Sequence, residues 1–289
     1  MEHYINFKKA GVIHKIVQNQ LKEILKEGIS ALEITEFIED EIKKFTKYEP
    51  ETHWVKGLGF PVGININDVA AHFTPSIECN PIIKENDLVK IDFGVHVQGC
   101  ISDGAFSWCP SGKHNKLAEI AEEATMIGIK NSGDDACLGD IGNEIEETIE
   151  SHEIVIDNKI FPVKSISDLS GHSIKPYQIH GGKMVPNGKF NYKERMKEGE
   201  VFAIETFPTT GNKKIQEIST VNHFALEQET ENNAHLYKKF KTLPFCERWI
   251  NTGSIGKDVI KYPVLMNDGI VAQFEKSIFI KSNSVEILN

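Results

Sequence analysis

Apolar residues at Ile13, Ile16, Val17, Leu21, Ile24 and Leu25 recur at helical spacing, so residues 8–27 predict an amphipathic helix stopped by Gly28. Ser30 followed by Glu33 reads as a capping box, and Ile34, Phe37, Ile38, Ile42 and Phe45 continue a second helix behind it. After the Gly- and Pro-bearing stretch "VKGLGFPVGININDVAAHFTPS", the segment "KIDFGVHVQGCISDGAF" (90–106) reads as two apolar strands. The order then recurs. Residues 114–130 read as a helix, Gly133 breaks it, and 139–151 read as another, followed by strand-like "IFPVKSI", "HSIKPYQIH" and "EVFAIETFP". "IEDEI" at 38–42 also matches "IEETI" at 145–149. The chain therefore reads as two copies of a helix–helix–strands unit. After His223, "HLYKKFKTLPFCERWI" is helical and aromatic, which predicts a helical insertion over 228–262, and "IVAQFEKSIFI" returns to strand in the main sheet. No low-complexity segment divides the chain.

Two carboxylates interrupt the apolar hairpin. With Gln98-Gly99 at its tip, Val97 faces Cys100, Gly94 faces Asp103 and Asp92 faces Ala105. Alternation then puts Asp92 and Asp103 on one face as diagonal neighbours, about 7–8 Å apart at the backbone. Carboxylates that close repel, and one normally holds a proton unless a cation intervenes.

Composition narrows the readings. The 289 residues, 40% of them hydrophobic, suffice for a full core. A net charge of −10 argues against a general nucleic-acid or anionic-membrane binder. No run approaches the roughly 20 apolar residues of a membrane span, and the N-terminal stretch lacks the apolar core of a signal peptide. Five scattered cysteines without CxxC spacing suggest structural thiols in a reduced, cytoplasmic protein.

Further ligand types stand in strand-like settings where an apolar strand would not place a charge: His172 in "LSGHSI", Glu205 in "VFAIETFP" and Glu275 in "VAQFEKS". Singly, each is as well read as a turn or solvent-facing residue. If they converge with Asp92 and Asp103, four carboxylates balance two divalent cations, and one imidazole completes a set suited to Co, Mn, Fe or Zn. Two such ions close together commonly serve hydrolysis.

The ordered segments "AAHFTPS", "VKIDFGVHVQGCISDGAFS", "LSGHSIKPYQIHGG", "EGEVFAIETF", "LPFCERW" and "YPVLMNDGIVAQFE" resemble the type 2 methionine aminopeptidases over nearly the whole chain. The resemblance implies an α+β pita-bread fold: a pseudo-twofold, curved antiparallel sheet with helices on its convex side, forming a single catalytic domain over 1–289. It implies Asp92, Asp103, His172, Glu205 and Glu275 as ligands of two metal ions, with Asp103 and Glu275 bridging and Glu205 doubling as general base. It implies His72 and His180 as non-ligand histidines at the scissile amide, and Phe60, Ile179, His223 and Tyr262 as the methionine pocket. The partners it implies are N-terminal peptides of nascent proteins, met by a monomer. The long polybasic and acidic extension of eukaryotic members is missing from this sequence, so ribosome association is expected to be transient at most. "FEKS" stands where "FEHT" is usual, and Lys276, a strand neighbour of Glu275, is expected to point away from the metals. Two other readings share the fold: an Xaa-Pro aminopeptidase, which usually needs a further N-terminal domain, and a metal-free pita-bread protein binding RNA or protein, which lacks the ligands present here.

Overall fold

A computed structural model describes residues 2–250, 255–256 and 258–289. The helices are α1 (Glu2–Ile24), α2 (Ala31–Thr46), α3 (Asn115–Lys130), α4 (Leu138–Glu150) and α5 (Ala234–Phe240). The strands are β1 (Lys56–Ile66), β2 (Val69–Ala71), β3 (Val89–Val97), β4 (Cys100–Trp108), β5 (Glu153–Ile156), β6 (Lys159–Pro162), β7 (Lys164–Ser165), β8 (Ser170–Ile174), β9 (Met184–Pro186), β10 (Val201–Thr206), β11 (Pro208–Thr209), β12 (Gln216–Ala225), β13 (Ile260–Met266), β14 (Phe274–Ile280) and β15 (Val285–Ile287).

The capping box forms as read: Ser30 Oγ accepts from the Glu33 amide at 3.2 Å, and the Glu33 carboxylate accepts from the Ser30 amide at 2.9 Å. The first helix is longer at its start and shorter at its end than residues 8–27, because Asn6 and Phe7 are buried and the helix closes at Ile24, four residues before Gly28. Gly28 adopts φ +83°, which favours glycine.

The duplication appears as two equivalent cores. In the first, Val17 and Leu21 of α1 and Ile34, Ile38 and Ile42 of α2 pack on Ile91, Phe93 and Val95 of β3. In the second, Ile120 and Ala124 of α3 and Ile141 and Ile145 of α4 pack on Phe202 and Ile204 of β10 and Ile278 of β14. Odd and even residues of each strand face opposite sides. The apolar set therefore turns toward the helices and leaves the other set on the concave face.

A three-stranded sheet runs β1-β3-β4 and a five-stranded sheet runs β15-β14-β10-β8-β9. The hairpin pairs in the predicted register, with Val97 opposite Cys100, Gly94 opposite Asp103 and Asp92 opposite Ala105. Across the seam the two sheets are joined by a side chain: Ser277 Oγ accepts from the Asp103 amide at 2.8 Å and donates to the Asp103 carbonyl at 2.9 Å.

The block at 228–262 is less helical than expected. It holds α5 and a single 3-10 turn at Glu247–Trp249, and Ile260–Tyr262 already belong to β13; residues 251–254 and 257 lie outside the described residues. Aromatic stacking replaces helix length as its organising force: Phe240 and Phe245 stack at 4.8 Å over Phe224 and Leu236. The turn is fastened to α2 through buried Glu39, whose Oε1 accepts from Arg248 at 2.8 Å and Trp249 Nε1 at 3.0 Å. Arg248 Nε also donates to the Pro75 carbonyl at 2.8 Å, tying the block to the segment after His72. The strand expected over "HSIKPYQIH" ends at Ile174. A turn with Lys175 paired to Gln178 and Tyr177 at φ +64° then carries Ile179 and His180 onto the concave face.

Candidate metal centre

Five strands each deliver one ligand-type side chain to the floor of a cavity of about 250 Å³: Asp92 from β3, Asp103 from β4, His172 from β8, Glu205 from β10 and Glu275 from β14. Glu205 and Glu275 are direct cross-strand partners, and His172 pairs with Ala203, which places it diagonal to Glu205. Asp103, His172 and Glu275 each offer a ligand atom within 4.8 Å of the others. His172 Nε2 lies 3.7 Å from Asp103 Oδ2 and 3.8 Å from Glu205 Oε1. Gln273 closes the ring, its amide donating at 3.2 Å both to Asp92 Oδ2 and to Glu205 Oε2.

Four carboxyl groups in so small a space cannot all be ionised. Burial pushes Asp92 up to about 7. Burial, then the neighbouring acids, holds Asp103, Glu205 and Glu275 well above the usual carboxylate range. Asp103 and Glu275 bring carboxyl oxygens within 4.8 Å of one another, so without a cation one of them holds a proton. Among the described residues, no Lys or Arg lines the cavity. Burial, then the His180 imidazole, drives His172 down to about 3, so it is neutral and available as a ligand. Asp92 Oδ1, Asp103 Oδ1 and His172 Nδ1 are buried with no hydrogen-bond partner among the described residues. Orphaned buried acceptors crowded without a counter-charge fit divalent cations.

The raised values fix a pH dependence. A folded metal-free site retains protons that the unfolded chain has released, so its cost to stability grows as pH rises from the ordinary carboxylate value toward about 7 at Asp92. A cation must displace those protons, so its stabilising effect grows over the same window. Excess Mn²⁺ is expected to raise the melting temperature more at about pH 7.5 than at about pH 5. Equal increments in the two buffers would contradict the assignment of these carboxyls as ligands.

A row of rings leads away from the acids. His180 meets His172 edge-on at 4.6 Å and Tyr262 at 6.1 Å, and His72 lies 5.6 Å from Tyr262 and 5.9 Å from His223. His72 follows β2 at φ +69°, a left-handed conformation costly for a non-glycine residue. Its Nδ1 lies 3.0 Å from the Pro263 carbonyl, so Nδ1 carries the proton and Nε2 is left as an acceptor. Burial lowers both His72 and His180, keeping them neutral. Phe60 and Ile179 complete the apolar wall with Leu169, Phe207 and Pro244. A Cβ on Gly94, opposite Asp103, would collide with the Phe60 ring, so glycine there lets the wall reach the acids. Every site residue named from the sequence lines this cavity. Gln273 was not among them, although it stands two residues before Glu275. Lys276 points to the helix side, its ammonium 5.5 Å from the Phe274 ring.

The model of metallopeptidase family M24 matches residues 6–280. The chain belongs to metallopeptidase family M24. Methionine aminopeptidase 2 of Yarrowia lipolytica is 36% identical over 98% of the chain, which spans 65% of that relative's length. Methionine aminopeptidase 2 of Laccaria bicolor is 36% identical over 99% of the chain and 86% of the relative. These similarities place the chain among the type 2 methionine aminopeptidases of the M24 family. The crystal structure of methionine aminopeptidase from Thermotoga maritima superposes with a TM-score of 0.69 at 20% identity, covering 97% of this chain and 94% of that one. It supports the pita-bread fold of the M24 enzymes. Among the described residues no helix is long and apolar enough to cross a membrane.

Proposed function

We propose that this M24 protein is a metalloaminopeptidase that removes the initiator methionine from new proteins whose second residue is small. The observation that carries the reading is the junction of a five-ligand acidic floor with an apolar, histidine-lined wall in one cavity. Asp92, Asp103, His172, Glu205 and Glu275 would hold two divalent ions, of Co, Mn, Fe or Zn. When bound, such ions supply Lewis acidity toward the scissile carbonyl and lower the pKa of water.

The chain's own groups do the rest. Phe60, Ile179, His223 and Tyr262 receive the methionine side chain, and the acidic floor attracts the substrate's α-ammonium. His72 accepts the scissile amide N–H at Nε2, the atom left free by its bond to Pro263. His180, neutral and without a fixed partner among the described hydrogen bonds, donates to the carbonyl oxygen as negative charge develops. Glu205 takes a proton from the attacking water and delivers it to the leaving amine. The five ligands argue against a metal-free binding protein, and relatives named methionine aminopeptidase 2 argue against an Xaa-Pro enzyme. The reading includes a single catalytic domain acting as a cytoplasmic monomer, with residues 228–262 as its type 2 insertion and ribosome contact transient.

Met-Ala-Ser is expected to be cleaved and Met-Glu-Ser left intact by the metal-loaded protein, with released methionine as the readout. Equal turnover of the two peptides would overturn the substrate assignment.

A further inference from the structure

Behind the acidic floor, on the helix side, lies a second polar cluster that takes no part in the chemistry above. Asn289 is buried there. Its Nδ2 donates to the Asp103 carbonyl at 2.6 Å, and its Oδ1 accepts from the Ser277 amide at 3.0 Å. Nδ2 also lies 3.5 Å from His14 Nδ1. His14, on α1, reaches with Nε2 to the Phe93 carbonyl at 2.9 Å and the Gly104 carbonyl at 3.3 Å, and its ring stacks on Phe93 at 4.1 Å.

The donor and acceptor pattern is self-consistent. Two carbonyls at Nε2 require the proton there, which leaves Nδ1 to accept from the asparagine. Phe93 follows Asp92, Gly104 follows Asp103, and Ser277 lies two residues after Glu275. The cluster therefore grips the backbone beside three of the five ligand positions, and it spans the seam between β4 and β14, beside the bridge made by the Ser277 side chain. Two glycines make room for it. A Cβ on Gly104 would collide with the Asn289 amide and the His14 ring, and one on Gly11 would collide with the Leu288 carbonyl.

We propose that Asn289 and His14 are positioning residues that set the spacing of the metal-ligand strands from behind. The inference rests on the metal-site reading. Its physical basis is that ligand geometry is held by the hydrogen-bonded shell around it, and losing such a contact typically weakens metal affinity roughly 10–100-fold.

The test compares Asn289→Leu with Ile42→Val, a truncation in the first core remote from the cluster. Three quantities are read: the metal-free melting temperature, Mn²⁺ affinity by calorimetry, and kcat and KM on Met-Ala-Ser. Asn289→Leu is expected to lose at least about tenfold in Mn²⁺ affinity and to lower kcat with little change in KM. Ile42→Val is expected to lower the melting temperature and leave Mn²⁺ affinity unchanged. Asn289→Ala removes the same hydrogen bonds without adding an apolar side chain; it is expected to act in the same direction and decides the matter if Asn289→Leu does not fold. Wild-type Mn²⁺ affinity in the folded seam variant overturns the inference, as does an affinity loss no greater than that of an equally destabilised Ile42→Val. Absence of Mn²⁺ binding by the wild-type chain overturns the metal-site reading as well.

Discussion

Replacing Asp103 by asparagine is expected to abolish tight metal binding and lower turnover at least about 100-fold, a size in keeping with the loss of one strong ligand or catalytic electrostatic contact. Asp103 is one of the three groups whose ligand atoms already lie within 4.8 Å of one another, and on the proposed reading the substitution removes one of four carboxylate charges that would balance two divalent cations. The fold is expected to survive. The amide has the same shape, and being neutral it does not repel Glu275, whose carboxyl lies within 4.8 Å. Burying a neutral amide costs less than burying a carboxyl group among three others, so the metal-free variant should melt at the wild-type temperature or slightly above it. Metal stoichiometry, turnover and metal-free melting temperature measured on one preparation separate these effects. Two bound metals with full activity would show that Asp103 is no ligand.

Glu205→Gln should behave differently. On the proposed reading Glu205 is both a ligand and the carboxyl that moves the proton; it accepts from Gln273 at 3.2 Å on one oxygen, with the other 3.8 Å from His172. Glutamine fills the same space and cannot take a proton from water. At saturating Mn²⁺, kcat is expected to fall by roughly 10²–10⁴, the range for removing a general base. KM should stay within a few-fold, because the lost interaction belongs to the transition state and not to the bound peptide. Steady-state kinetics on Met-Ala-Ser with metal content verified is the measurement. A variant with wild-type kcat would remove Glu205 from the proton path and leave His72 and His180 as the groups to examine.

Local order was legible in the sequence because it follows from spacing along the chain. The 3.6-residue period located α2, α3 and α4 to within a residue or so of their ends, and the Ser30–Glu33 box marked where α2 begins. The two-residue period of a strand, with Gln98-Gly99 at the tip, put Asp92 and Asp103 on one face in their observed register. Three matters were decided elsewhere. The convergence of Asp92 with Glu275, 183 residues later, depends on how two sheets meet at a seam, and no local period encodes that. The extent of the 228–262 block depended on aromatic stacking and on the Glu39–Arg248 pair, so its helical composition overstated its helix content. Gln273 and Asn289 carried no signal of their own, since a polar residue beside a strand is ordinarily solvent-facing. Only the tertiary structure buries them against backbone and carboxylates, where each hydrogen bond has a fixed partner, because burial is a property of what packs above a residue and not of its neighbours in sequence.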